Sequence, residues 1–190
     1  MCLIPGILGF IACCIFDINK VRWHNKTLNY FFIFGSLLLA VSTISAVLQS
    51  DFSILIESFH IRHIIGLIGL VLSGIALIYI LFFALPFDKT YIENETLPLV
   101  NQGVYAICRH PGFWMFALFY LFLGLFLSSR ILLIATILYS GCNFLYITIQ
   151  DYYIFPQYIR GYDNYKKSVP FLIPNRSSIR NAFDRNGLNK

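Results

Sequence analysis

A chain of 190 residues that is 58% hydrophobic and only 12% charged falls far below the charge of a soluble domain, where about a quarter of residues are charged. It reads as a single all-α, polytopic integral-membrane domain, with too little polar sequence left over for a separate soluble unit. The formal charge of +5 suits anionic lipid headgroups and gives no reason to invoke nucleic acid.

A hydrocarbon core about 30 Å thick takes about 20 helical residues to cross, and five apolar runs are candidates in chain order. The first, Cys2 to Phe16, is marginal in length. It ends near Ala12-Cys13 in a faint lipoprotein-like pattern, but no Lys or Arg precedes its apolar stretch, as a signal peptide requires. A basic loop with Lys20, Arg22 and Lys26 leads to the second run, Leu28 to Leu48. His60 and His63 stand at the outer mouth of the third run, Ile64 to Leu85. Without a third ligand they read as surface residues and not as a metal site. Gly66, Gly69 and Gly74, with Ser73, would let a neighbouring helix approach closely.

Pro86 to Gln102, with Asp88, Glu93 and Glu95, reads as a polar loop leading toward the next block. The fourth run, Phe113 to Leu127, is again marginal, and the fifth is Ile131 to Ile149. Only Ser128, Ser129 and Arg130 separate them, which predicts an antiparallel helical hairpin. The last stretch, Asn175 to Lys190, is polar and basic, and is expected to fray or lie on the membrane surface. The organisation is thus 1–98 for N-terminal helices and loop, 99–174 for a polar-rich core, and 175–190 for a tail. Cys2, Cys13, Cys14, Cys108 and Cys142 follow no zinc-binding or disulfide pattern and read as small apolar residues.

Lys and Arg are unevenly divided between the two sets of short loops. Lys20, Arg22, Lys26, Lys89, Arg109, Arg160, Lys166, Lys167, Arg176, Arg180, Arg185 and Lys190 fall on one side, and Arg62 and Arg130 on the other. The positive-inside rule then predicts an external N-terminus and a cytoplasmic C-terminus, which agrees with five spans.

Chemistry concentrates in two blocks. Gly103 to Phe113 reads GVYAICRHPGF, where Arg109 and His110 supply several donors and Pro111 opens a helix. Such a cluster suits an anion such as a carboxylate. Interfacial anchoring, with Arg109 snorkelling and Trp114 in an aromatic belt, is the competing reading. The hairpin returns Gln150 and Asp151 to the same end, among Tyr146, Tyr152, Tyr153, Phe155 and Tyr158. A carboxylate among aromatic faces suits a cationic group, and a plain helix end reaching water is the alternative. An anchor would need no acidic partner on the returning helix, which favours a ligand site. Tyr162 and Tyr165, before Lys166-Lys167, read as an interfacial helix.

These blocks resemble the membrane methyltransferases related to isoprenylcysteine carboxyl methyltransferase, among whose relatives are the phospholipid N-methyltransferases. The resemblance rests on Leu99, Gly103, Tyr105, Arg109, His110, Pro111 and Phe113, then the hairpin, then Gln150 and Asp151, then Tyr162, Tyr165, Val169, Pro170 and Pro174. It covers Leu99 to Pro174 and leaves the first three runs unassigned. It implies an S-adenosylmethionine site at the cytoplasmic membrane face, with Leu99, Gly103, Tyr105, Arg109, His110, Pro111 and Asp151 at the cofactor. Asp151, His110 and Gln150 would be the residues nearest the chemistry. The implied acceptor is a lipophilic or lipidated molecule, bearing a carboxylate as in the isoprenylcysteine enzymes or an amine as in the phospholipid enzymes. Two positions depart from the pattern: Gln150-Asp151 stands where the family has paired glutamates, and Tyr146 stands where the isoprenylcysteine enzymes have an arginine. An NADPH-dependent sterol-type reductase shares the R-H-P element, and a non-catalytic membrane scaffold would account for the departures.

Overall fold

The structure, a computed structural model, describes residues 1–53, 59–84 and 99–187. Leu85, at the end of the third run, and most of the polar loop that follows it, with Asp88, Lys89, Glu93 and Glu95, lie outside the described residues, as does Lys190. The described chain is helical without a strand: α1 (Ile4–Ile18), α2 (Phe31–Leu48), α3 (Ile61–Ile78), α4 (Val104–Ile107), α5 (Pro111–Phe126), α6 (Arg130–Ile149), α7 (Phe155–Tyr158), α8 (Tyr162–Ser168) and α9 (Arg176–Gly187). π-Helical turns extend α1 over Asn19–Trp23 and α3 over Tyr79–Phe83, and a third, Gln150–Ile154, joins α6 to α7.

Four continuous helices are long and apolar enough to cross a membrane: Ile4–Trp23, Thr27–Leu48, Ile61–Phe83 and Arg130–Tyr158. The expected count of five is corrected at the fourth run. There α5 has 16 residues, about 24 Å at ~1.5 Å per residue, because Pro111 begins it and the Ser128 turn, with φ 50°, ends it. The first run, expected to be marginal, reaches 20 residues through its π-helical extension.

The outward faces are those of a protein solvated by lipid. Along α2, Ile33, Leu37, Val41, Ile44 and Leu48 are all exposed at helical spacing, a stripe too apolar for water. Inward packing uses small residues. α1 crosses α2 at Gly9 and Gly35, where a Cβ on either would meet the other's carbonyl oxygen at 2.6 Å. α3 packs on α5, with Gly66 against the Phe126 backbone and Gly69 against the Phe122 ring, so the glycines do serve close approach. Hydroxyl pairs link the helices in the interior: Ser42 Oγ with Tyr139 Oη at 2.6 Å, and Thr43 Oγ1 with Tyr120 Oη at 2.6 Å.

The ends of the bundle are tied separately. At one end His63 is fully buried, contrary to the surface role expected for it. Its Nδ1 accepts from the His60 backbone N–H at 2.9 Å and its Nε2 pairs with Ser128 Oγ at 2.8 Å, so it joins the start of α3 to the α5–α6 turn. Among the described residues no group of three His, Cys, Asp or Glu could hold a metal. At the other end Asn19 closes the α1–α2 turn, donating to Asn25 O and Asn29 Oδ1 and accepting from Asn25 N–H, each at 2.9 Å. This second end also gathers Arg109, His110, Asp151 and the C-terminal segment.

Candidate functional site

Pro111 disfavours helical backbone at the residue before it, and His110 is accordingly non-helical, while Cys108 ends α4 in an extended conformation. The bend between α4 and α5 thereby frees backbone donors. Arg109 N–H donates to Pro170 O at 2.9 Å and His110 N–H to Phe171 O at 3.3 Å, while Trp114 Nε1 donates to Leu172 O at 2.9 Å. Trp114 is half-exposed, but it clasps the C-terminal segment rather than acting as a free belt residue. The segment after α8 is held across the mouth of the hairpin.

Beneath it, Arg109 and Asp151 meet across 42 residues of sequence. Arg109 Nε donates to Asp151 Oδ1 at 2.8 Å and Nη2 to Oδ2 at 3.0 Å, a two-point fork, with the Asp151 side chain 0% exposed. Arg109 Nη1 donates to Lys166 O at 3.0 Å and Val169 O at 2.8 Å. Four of the five guanidinium N–H groups are thus used. Asp151 Oδ1 also accepts from Tyr162 Oη at 2.6 Å and pairs with His110 Nε2 at 3.2 Å. Lys166 Nζ donates to Asp151 O at 3.1 Å and lies 3.5 Å from Oδ2.

His110 is stacked against Phe155, with ring centroids 5.9 Å apart, and edge-on to Phe171 at 5.0 Å. Burial pushes its pKa below the ordinary value, the neighbouring Asp151 opposes this, and the Arg109 charge adds to the lowering. A neutral imidazole donating from Nε2 to the carboxylate keeps its lone pair on Nδ1. Burial first, and then the bond to Asp151, pushes the Tyr162 hydroxyl well above its usual range, so it stays a protonated donor.

The two residues of the acidic block part company. Asp151 joins Arg109 and His110 as expected, but Gln150 does not. Its Nε2 donates at 2.7 Å to Asp17 Oδ2, which also accepts from Tyr146 Oη at 2.7 Å. Consecutive residues on a helix point about 100° apart, so one side chain faces α5 and the next faces α1. The aromatic crowd divides likewise: Tyr152 and Tyr153 are exposed, Phe155 covers His110, and Tyr146 serves Asp17. Tyr162 and Tyr165, expected on an interfacial helix, are buried, and Tyr165 Oη donates to Tyr105 O at 2.6 Å. Asp17 carried no motif that would have singled it out. Its one sequence signal was an acid directly after the first apolar run.

Leu99 packs on the Tyr162–Tyr165–Val169 cluster, and Gly103 opens α4 with φ 57°. In the tail, α9 turns Ser178 and Ala182 inward and packs on α4. An apolar groove of about 310 Å³ runs between the end of α3 and the start of α5, lined by Ala76, Tyr79, Ile80, Ile107, Cys108, Pro111, Trp114 and Met115. Arg109 and His110 do not line the groove, but Cys108 and Pro111, which flank them in sequence, do. No family model, curated protein or solved structure matches the chain.

Proposed function

We propose that the chain is an S-adenosylmethionine-dependent membrane methyltransferase acting on a lipid-like acceptor. The observation that carries this reading is convergence: the side chains of Arg109, His110, Asp151 and Tyr162, with the Val169 carbonyl, come from three separate blocks of the resembling stretch and meet in one buried cluster joined by the Arg109–Asp151 fork. Separate anchors would have no need to meet.

The residues fit the cofactor's anionic end. Arg109 and Lys166 bring two positive charges against the single carboxylate of Asp151, and the excess suits a ligand carboxylate. Lys166, with 23% of its side chain exposed, is the cation nearest solvent and would take that group, with the remaining Arg109 N–H. When bound, the cofactor supplies an electrophilic methyl group. The protein's part is to position the acceptor and exclude water. The groove between α3 and α5 would hold an apolar tail so that the acceptor's polar head lies at Cys108–Pro111. Asp151 already accepts from Arg109 and Tyr162 and is engaged in holding the cluster. If the acceptor is an amine, His110 Nδ1 is therefore the better proton acceptor. A carboxylate acceptor needs none.

The topology belongs to the same proposal. α5, shorter than the four spanning helices, pairs with one of them through a short turn and would run beside it through most of the bilayer. The end that holds the cluster, with Lys20, Arg22, Lys26, Arg160, Lys166 and Lys167, would face the cytoplasm, where the cofactor is supplied.

Calorimetric titration of the purified, folded protein with S-adenosylmethionine tests the reading. Binding that weakens about tenfold or more in Lys166→Met, with the fold retained, is expected. A folded protein that takes up neither S-adenosylmethionine nor S-adenosylhomocysteine refutes it. A second reading, a scaffold that keeps the fold without catalysis, draws on one observation: Arg109 and Asp151 largely satisfy each other.

A further inference from the structure

We propose that Asp17, on α1, is a positioning residue of the site, acting through Gln150 to set the direction in which Asp151 points. Asp17 is buried near the end of a spanning helix, where an acid is costly unless it has a task and partners. Its two hydrogen-bond partners, Tyr146 and Gln150, lie on α6 and its continuation and bond the same oxygen at 2.7 Å, while the Lys20 charge faces it from its own helix. Tyr146 and Gln150 are also the two positions at which the chain departs from the pattern it resembles.

The geometry makes this a control on the site. Gln150 is the first residue of the π-helical turn Gln150–Ile154 and Asp151 the second. A π-helical turn has a weaker intrinsic preference than an α-helical one and persists where side-chain contacts hold it, often at functional positions. Here α1 holds Gln150 on one side while Arg109, His110 and Tyr162 hold Asp151 on the other. The turn is clamped from two directions. Removing the first clamp allows the turn to relax toward α-helical register and rotates Asp151 away from the Arg109 fork.

The test uses full-length protein in lipid nanodiscs, comparing Gln150→Glu, Asp17→Asn and the double variant. Gln150→Glu sets two carboxylates against each other, and Asp17→Asn in the same chain restores an acid–amide pair with its ends exchanged. Amide hydrogen exchange at Gln150–Tyr158 is expected to rise about tenfold or more in Gln150→Glu, with α2 and α3 unchanged, and to return close to the native rate in the double variant. No rise, or no recovery in the double variant, overturns the proposal. A contact that merely stabilises the bundle would raise exchange throughout and leave ligand affinity in the folded fraction alone. The second arm, S-adenosylmethionine affinity, rests on the methyl-donor reading and is expected to follow the same loss and recovery. If the native chain does not bind the cofactor, that reading fails, while the exchange arm still decides the role of Asp17.

Discussion

Replacing Asp151 by Leu removes the acceptor that the cluster shares. The Arg109 guanidinium, with its side chain 7% exposed, would lose a two-point partner at 2.8 and 3.0 Å, and an uncompensated buried charge of this kind costs about 3–5 kcal/mol. Tyr162 and His110 lose an acceptor at the same time, but coupled losses do not simply add. We expect about 3–5 kcal/mol for Asp151→Leu. Arg109→Met should cost at least as much, because it also orphans the carbonyls of Lys166 and Val169. The double variant removes both charges together and should fall short of the sum of the singles by about 1–3 kcal/mol. Unfolding in mixed micelles by titration with sodium dodecyl sulfate, followed by circular dichroism, supplies the cycle. Singles that add to within about 0.5 kcal/mol would mean that the fork does not couple the two helices, and the reasoning from convergence would fall.

Tyr162→Phe removes a hydrogen bond to a charged group and should destabilise by about 1.5–3 kcal/mol in the same titration. Gly9→Leu should prevent assembly of α1 on α2, since its Cβ would meet Gly35 O at 2.6 Å, whereas Gly141→Ala, with nothing within 4 Å, should be tolerated; yield of monodisperse protein on size exclusion distinguishes them. The lowered pKa of His110 has a definite sign. The unfolded chain takes up a proton near its ordinary value of about 6.5 while the folded chain resists, so stability is full above that value and falls as pH drops below it. His110→Asn should flatten this slope between about pH 5 and 7, measured by unfolding at each pH.

The sequence revealed much of this because its strongest signals were local. Apolar run length gave the helices, the short Ser128–Arg130 connection gave the hairpin, and the hairpin's return brought Asp151 back toward Arg109. Pro111 as a helix start was equally plain. The signals that misled depended on rotation about a helix axis, which residue spacing near a π-helical turn does not reveal. Gln150 and Asp151 are neighbours in sequence and face different helices. Tyr162 and Tyr165 beside two lysines resemble an interfacial pattern, yet the segment folds back over Arg109 and buries both rings. His63 could be placed inside only by knowing that Ser128 turns toward it. Asp17 acquires meaning only from helix partners more than a hundred residues later.

The decisive measurement incubates membranes containing the protein with methyl-labelled S-adenosylmethionine. Label is expected in the lipid or lipidated-protein fraction, lost in a Lys166→Met variant that remains folded and, where the product is N-methylated, in folded His110→Ala as well. Base-labile label would identify a methyl ester, and stable label in a headgroup an N-methyl product. Absence of transferred label above membranes lacking the protein, while the folded chain is present in quantity, would contradict the methyl-donor reading.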